Sequence, residues 1–155
     1  MFLSHNWGND AAGRDNHERV KKVAEALILQ GFTVWLDHFE MIGCVMDSMI
    51  QGINNSELFV VFVTSKYQEK VNQSDLRDNC KFEFSYAFKT LRIQKFIPVV
   101  MEDVMMNTRT WTHTLQACIG GLLYSNISFD DPVEFRRGVD DLASKARCLL
   151  PPGTI

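Results

Sequence analysis

Leu58-Phe59-Val60-Val61-Phe62-Val63 is apolar without a break, and this run limits the folds open to the chain. A strand with one wet face alternates polar and apolar positions. A run with no polar position is buried on both faces, as at the centre of a parallel sheet covered by helices. Shorter β-like runs lie at Met1–Ser4, Thr33–Leu36, Phe96–Met101 and Leu122–Tyr124, with helical patterns between them. The first helix takes Asp15 or Asn16 as N-cap and Glu18 in its first turn, lines up Val20, Val23, Ala24, Leu27 and Ile28, and stops at Gly31. A second runs through Val45, Met46, Met49, Ile50 and Ile53 to Asn54-Asn55-Ser56. Another places Cys80, Phe84, Ala87, Phe88 and Leu91 on one face. The last, from about Pro132, buries Phe135, Val139, Leu142, Ala146 and Leu149 before Pro151-Pro152-Gly153. Asp103–Gly121 reads as a long loop with one or two turns. The alternation predicts an α/β fold, a flavodoxin-like doubly wound five-stranded parallel sheet.

The length of 155 residues suits one domain, over 1–150, with a short tail at 151–155. The chain opens on an apolar strand without a secretory leader pattern, which is the expectation for a domain cut from something longer. No apolar run approaches the roughly 20 residues that span a bilayer. A net charge of −3 argues against a nucleic-acid partner or contact with an anionic membrane. The basic residues Arg19, Lys21 and Lys22 alternate with apolar positions and read as a solvated helix face. Cys44, Cys80, Cys118 and Cys148 are far apart, with no C-x-x-C pair, and read as reduced thiols of a cytoplasmic protein. His5, His17, His38 and His113 are equally scattered, so no metal site is expected.

In open parallel sheets ligands bind at the carboxyl ends of the strands, and the fold alone does not choose among functions. The first strand exits into Ser4-His5-Asn6-Trp7-Gly8 and the third into Thr64-Ser65, which lacks the phospho-acceptor aspartate of a receiver domain. G-x-G-x-x-G, the P-loop and the G-x-S-x-G nucleophile elbow are all missing. What remains at this edge is Ser4, His5, Asn6, Asp37, Thr64, Ser65 and Glu83, with Trp7 and Tyr67 nearby. Hydroxyls, aromatic faces and one carboxylate suit a nucleoside better than a metal or a peptide bond; beside Glu83, the edge reads as lacking any carboxylate except Asp37. Glu83 also has a plainer reading, a first-turn glutamate that complements the helix dipole and contributes about 0.3–1 kcal/mol. Trp35 reads as core; Trp7, beside Gly8, is the better stacking surface. The loop His38–Gly43 carries apolar Met41 and Ile42 and a hinge at Gly43, and reads as functional unless its apolar residues are buried beneath it.

These boxes resemble a Toll/interleukin receptor (TIR) domain over nearly the whole chain. Phe2-Leu3-Ser4-His5 is similar to the family's first-strand box. Asp37 through Gly43, with Met49, Gly52-Ile53 and Ser56, resembles the loop after the second strand and its helix. Val60-Val61-Phe62-Val63-Thr64-Ser65-x-Tyr67 resembles the third strand and its polar exit, and Cys80-Lys81-Phe82-Glu83 the C-x-x-E box.

Members of the family are either adaptors that assemble by TIR–TIR contact or enzymes that cleave the nicotinamide–ribose bond of NAD. The resemblance implies that Glu83 is the catalytic residue and that Ser4, His5, Asn6, Trp7, Asp37, Thr64 and Asn79 contact the substrate. It implies NAD as substrate with no added cofactor, and products nicotinamide and ADP-ribose or a cyclic isomer of it. Met41, Ile42 and Gly43 would form a self-association loop, making the domain a homo-oligomer when active in immune or cell-death signalling and a monomer when dilute. Two features favour the enzyme: the loop lacks the proline of animal receptor TIRs, and Tyr67–Asn79 is long and polar. One departs from it. Many NAD-cleaving TIRs carry tryptophan four residues before the glutamate, where this chain has Asn79. Trp7 is the candidate for the missing aromatic face. In the alternative, an adaptor, Asp37–Ser56 would bind other TIR domains.

Overall fold

The computed structural model describes residues 1–36 and 45–151. Its elements run β1 (Phe2–Ser4), α1 (Asn16–Leu29), β2 (Trp35–Leu36), α2 (Val45–Asn54), β3 (Phe59–Val63), α3 (Ser65–Asn72), α4 (Asn79–Thr90), β4 (Phe96–Val100), α5 (His113–Ile119), β5 (Ser125–Asn126) and α6 (Pro132–Leu149). The strands form one parallel sheet in the order β2-β1-β3-β4-β5. This is the doubly wound architecture read from the sequence.

Every residue of β3 is buried, and its alternate positions feed two cores. Val60 and Phe62, with Leu3, Ile97 and Val99, pack under α1 and α6. Phe59, Val61 and Val63, with Phe2, Phe96 and Val100, pack under α2, α3, α4 and α5. Successive side chains of a strand point to opposite faces, so an unbroken apolar strand is what a sheet with helices on both sides requires. Fully burying one such side chain is worth roughly 1.5–3 kcal/mol.

The helices start where side chains can satisfy free backbone N–H groups. Asp15 caps α1 through the amide of Glu18, Thr64 caps α3 through Tyr67, Asp78 caps α4 through Lys81, and Asp131 caps α6 just ahead of Pro132.

Several expectations need correction. The last strand is Ser125–Asn126 rather than Leu122–Tyr124; Leu123 is 84% exposed. The helix α3, not expected from the sequence, takes up the first part of the polar segment Tyr67–Asn79 and is held down by buried Tyr67 and Val71. Within Asp103–Gly121 there are two short 3-10 turns and the helix α5. Ile28 and Phe88 are exposed rather than core. Trp35 is half-buried.

Candidate functional site

Placing β1 beside β3 at the centre of the sheet brings their carboxyl ends together, and α4 crosses the same end. Between the exit of β1, α3 and the start of α4 lies a cavity of about 280 Å3. His5 and Trp7 form one wall, Lys70 comes from α3, and Asp78, Asn79, Cys80 and Glu83 come from the start of α4. Its size is near the lower end for small-molecule sites.

Glu83 is 4% exposed. The first turn of α4 holds no acidic residue, and Asp78 does the capping. Glu83 sits beyond that turn, so the dipole explanation loses its footing. Ser4 Oγ donates to Glu83 Oε2 at 2.6 Å and lies 2.8 Å from the Tyr67 hydroxyl. Burial drives the Tyr67 hydroxyl well above its ordinary pKa, with Cys80 and Glu83 adding to the effect, so it stays protonated. Cys80 donates its thiol to the His5 carbonyl at 3.4 Å, and burial, reinforced by Glu83, pushes that thiol strongly up. Burial pulls the Lys70 ammonium down, but Asp78 at 2.7 Å together with Cys80 and Glu83 more than offsets it and leaves the group above its usual value.

On the opposite wall His5 Nε2 is 2.8 Å from His17 Nδ1. The Trp7 indole stacks on the His17 ring, with centroids 3.8 Å apart and planes 13° from parallel. Burial first, then His17, lowers the His5 pKa to about 4. The aromatic surface near Glu83 is therefore a Trp7–His17 stack with His5 behind it.

The residues expected at the site separate into two groups. Ser4, His5, Trp7, Asn79 and Glu83 come together, with Ser4 reaching the cavity through Glu83. Asn6 and Thr64 are wholly buried and do not line the cavity. Thr64 Oγ1 donates to Asn6 Oδ1 and accepts from the Tyr67 amide, while Asn16 Nδ2 donates to the Asn6 carbonyl. They lock β1, α1 and α3 together. Asp37, Met41, Ile42 and Gly43 lie outside the described residues.

The sequence reading missed Lys70 and Asp78, which a solvated helix or loop would also carry. It missed His17, whose place on the buried face of α1, at three residues before Val20, was the available signal. It also held that Asp37 was the only other carboxylate at this edge, which is wrong. Glu102, at the exit of β4, is 3% exposed and accepts from the Ala11 amide, the Ser65 amide and the Ser65 hydroxyl. With those donors it pins the loop after β1 to the start of α3.

The chain matches the family model described as TIR domain over residues 1–138. It belongs to the TIR family. No curated protein matches it. TIR domains act in signal transduction and associate with other TIR domains. Among the described residues of this TIR domain, no helix is long and apolar enough to cross a membrane.

Proposed function

We propose that this TIR domain is an NAD glycohydrolase with Glu83 as its catalytic residue. The observation that carries the reading is a carboxylate 4% exposed, held by a serine hydroxyl at the base of a cavity walled by His5 and Trp7 at the carboxyl edge of the sheet. Nicotinamide leaves NAD with the electron pair of the broken C–N bond, which neutralises its cationic ring, so departure needs no general acid. The ribose left behind has oxocarbenium character. A nearby carboxylate stabilises it through its charge or through the ribose hydroxyls. Water then adds at the anomeric carbon and loses a proton, giving ADP-ribose; attack from within the same molecule gives a cyclic isomer. A second carboxylate is not required.

The cavity is small for a whole dinucleotide, which supports a site completed by a neighbouring copy through the Asp37–Gly43 loop. A loop this short makes a small contact, and small interfaces are weak, so the domain is a monomer when dilute and an oligomer when active, within cytoplasmic immune or cell-death signalling. The test is nicotinamide release from wild type and Glu83→Gln over a wide range of protein concentrations. Release per molecule rises with concentration in the wild type and is absent in the variant, with melting temperatures alike. Activity that survives in Glu83→Gln removes Glu83 as the catalyst, and activity constant with concentration removes the need for a neighbour.

The exposed Asn79, standing where many NAD-cleaving relatives have tryptophan, favours a second reading. In it the domain is a non-catalytic adaptor acting through TIR–TIR contact by way of Asp37–Ser56. Partner binding with no NAD consumed at high concentration selects it.

A further inference from the structure

Three side chains far apart in sequence meet in the interior: Tyr67 from α3, Ser4 from β1 and Glu83 from α4. The Tyr67 and Ser4 hydroxyls are 2.8 Å apart, and either atom of that pair could be the donor when it is viewed alone. The third member removes the ambiguity. An ionised carboxylate only accepts, so with Glu83 charged the single Ser4 proton goes to it. The Ser4 oxygen then offers lone pairs alone, and the Tyr67 proton turns to it. The reverse direction, Ser4 donating to Tyr67, strands the wholly buried Tyr67 hydroxyl as a donor, since Ser4 is its hydrogen-bond partner among the described residues. The Ser4–Glu83 separation of 2.6 Å is within the range of a hydroxyl on an ionised carboxylate.

We infer that Tyr67 and Ser4 are positioning residues, a one-way chain of donated hydrogen bonds that fixes the Glu83 carboxylate and holds it in its charged form inside a buried site. Burial by itself favours the neutral acid, and donors aimed at the charged form oppose this. The described ionisable groups that line the cavity around Glu83 have hydrogen-bond or ion-pair partners of their own. Lys70 on α3 is paired with Asp78 at the start of α4. The Cys80 thiol is occupied with the His5 carbonyl and stays protonated. His5 on the β1 side is hydrogen-bonded to His17 and is neutral above about pH 4. Arg77, across the cavity mouth, is paired with Asp75. The Ser4 hydroxyl, backed by Tyr67, is a donor aimed at the charged form of the carboxylate.

The consequence for the reaction rests on the reading of Glu83 as the catalyst; the consequence for its protonation does not. The test therefore has two arms. In the first, the side-chain carboxyl carbons of glutamate are labelled with carbon-13, the Glu83 resonance is assigned by its loss in Glu83→Gln, and it is titrated in wild type, Tyr67→Phe and Ser4→Ala. Each of the last two variants removes one oxygen. The midpoint rises by about half a pH unit in Tyr67→Phe and by about one in Ser4→Ala, the sizes expected for an indirect and a direct hydrogen bond. Midpoints equal to wild type in both variants overturn the inference, whatever happens to the melting temperature, because packing alone leaves the titration in place. In the second arm, the acid limb of kcat for nicotinamide release moves by the same amount in Tyr67→Phe with KM within about twofold, as for an interaction that acts on the chemical step. Release that survives Glu83→Gln overturns the catalytic reading and leaves the first arm to decide the hydrogen-bond chain.

Discussion

Nε2 of His5 lies 2.8 Å from Nδ1 of His17, so one ring donates and the other accepts. Nδ1 of His5 faces the Leu3 carbonyl at 3.5 Å. A carbonyl only accepts, which places the His5 hydrogen on Nδ1 and makes its Nε2 the acceptor for His17. A second proton on His5 would face the His17 hydrogen.

This pair makes stability depend on pH. Burial, then His17, lowers the His5 pKa from 6.5 to about 4. Between those values the unfolded chain binds more protons than the folded one. The contribution is therefore intact above pH 6.5 and drains away as pH falls toward 4. Between pH 7 and pH 5 it amounts to about 2 kcal/mol. Denaturant titrations at those two pH values should show the wild type losing that much more than His5→Gln. Equal losses would mean that the ring titrates normally in the folded state.

A β-carbon on Gly52 would stand 2.6 Å from Cε2 and Nε1 of Trp35. Alanine inside a helix normally stabilises relative to glycine by about 1 kcal/mol. Here the ring lies in the way, and Gly52→Ala destabilises by about 1–3 kcal/mol, the range for overpacking. Combining it with Trp35→Phe, which supplies space, should recover part of the loss. Additive effects in the double variant would show that the two positions do not meet.

Asp10 has a fully buried carboxylate that takes Arg14 Nε at 2.7 Å and Arg19 Nη1 at 3.1 Å. The same guanidiniums donate to the carbonyls of Met101, Ile127 and Ser128, which ties together the loops that leave β1, β4 and β5. Burial raises the Asp10 pKa, but hydrogen bonds from Arg14 reverse this and leave it below its usual value. Asp10→Ala leaves two largely buried cations without their shared partner and should cost about 3 kcal/mol. A cost under about 1 kcal/mol in a melting experiment would show that Asp130, the other carboxylate on Arg14, carries the load.

The fold was legible where composition and period agree. The unbroken run in β3 implied helices on both faces, and the caps and apolar stripe of α1 gave its bounds at Asp15 and Gly31. The misplaced last strand shows where this fails. β5 pairs with β4 only at Ser125 and Asn126, and its fully buried serine bonds to Asp141, so its position is set by α6 rather than by its own hydrophobicity. The helix α3 hid because two apolar residues one turn apart, Tyr67 and Val71, are a faint stripe. Glu83 and Trp7 could be singled out from motif and strand position. Ser4 and Tyr67 were also read at this edge, but not the hydrogen bonds that join them to Glu83. Ser4 and Tyr67 are 63 positions apart, and only the neighbouring of β1 and β3 in the sheet makes them one unit.

Cys80 lies in the wall of the cavity, but its sulfur is spent on the His5 carbonyl and its thiolate is strongly disfavoured. Oxidants and alkylating agents attack the thiolate. A reagent that modifies the exposed Cys148 at neutral pH will leave Cys80 untouched. The cavity is therefore insensitive to redox conditions at this position, and Cys80 offers a thiol-directed inhibitor no anchor.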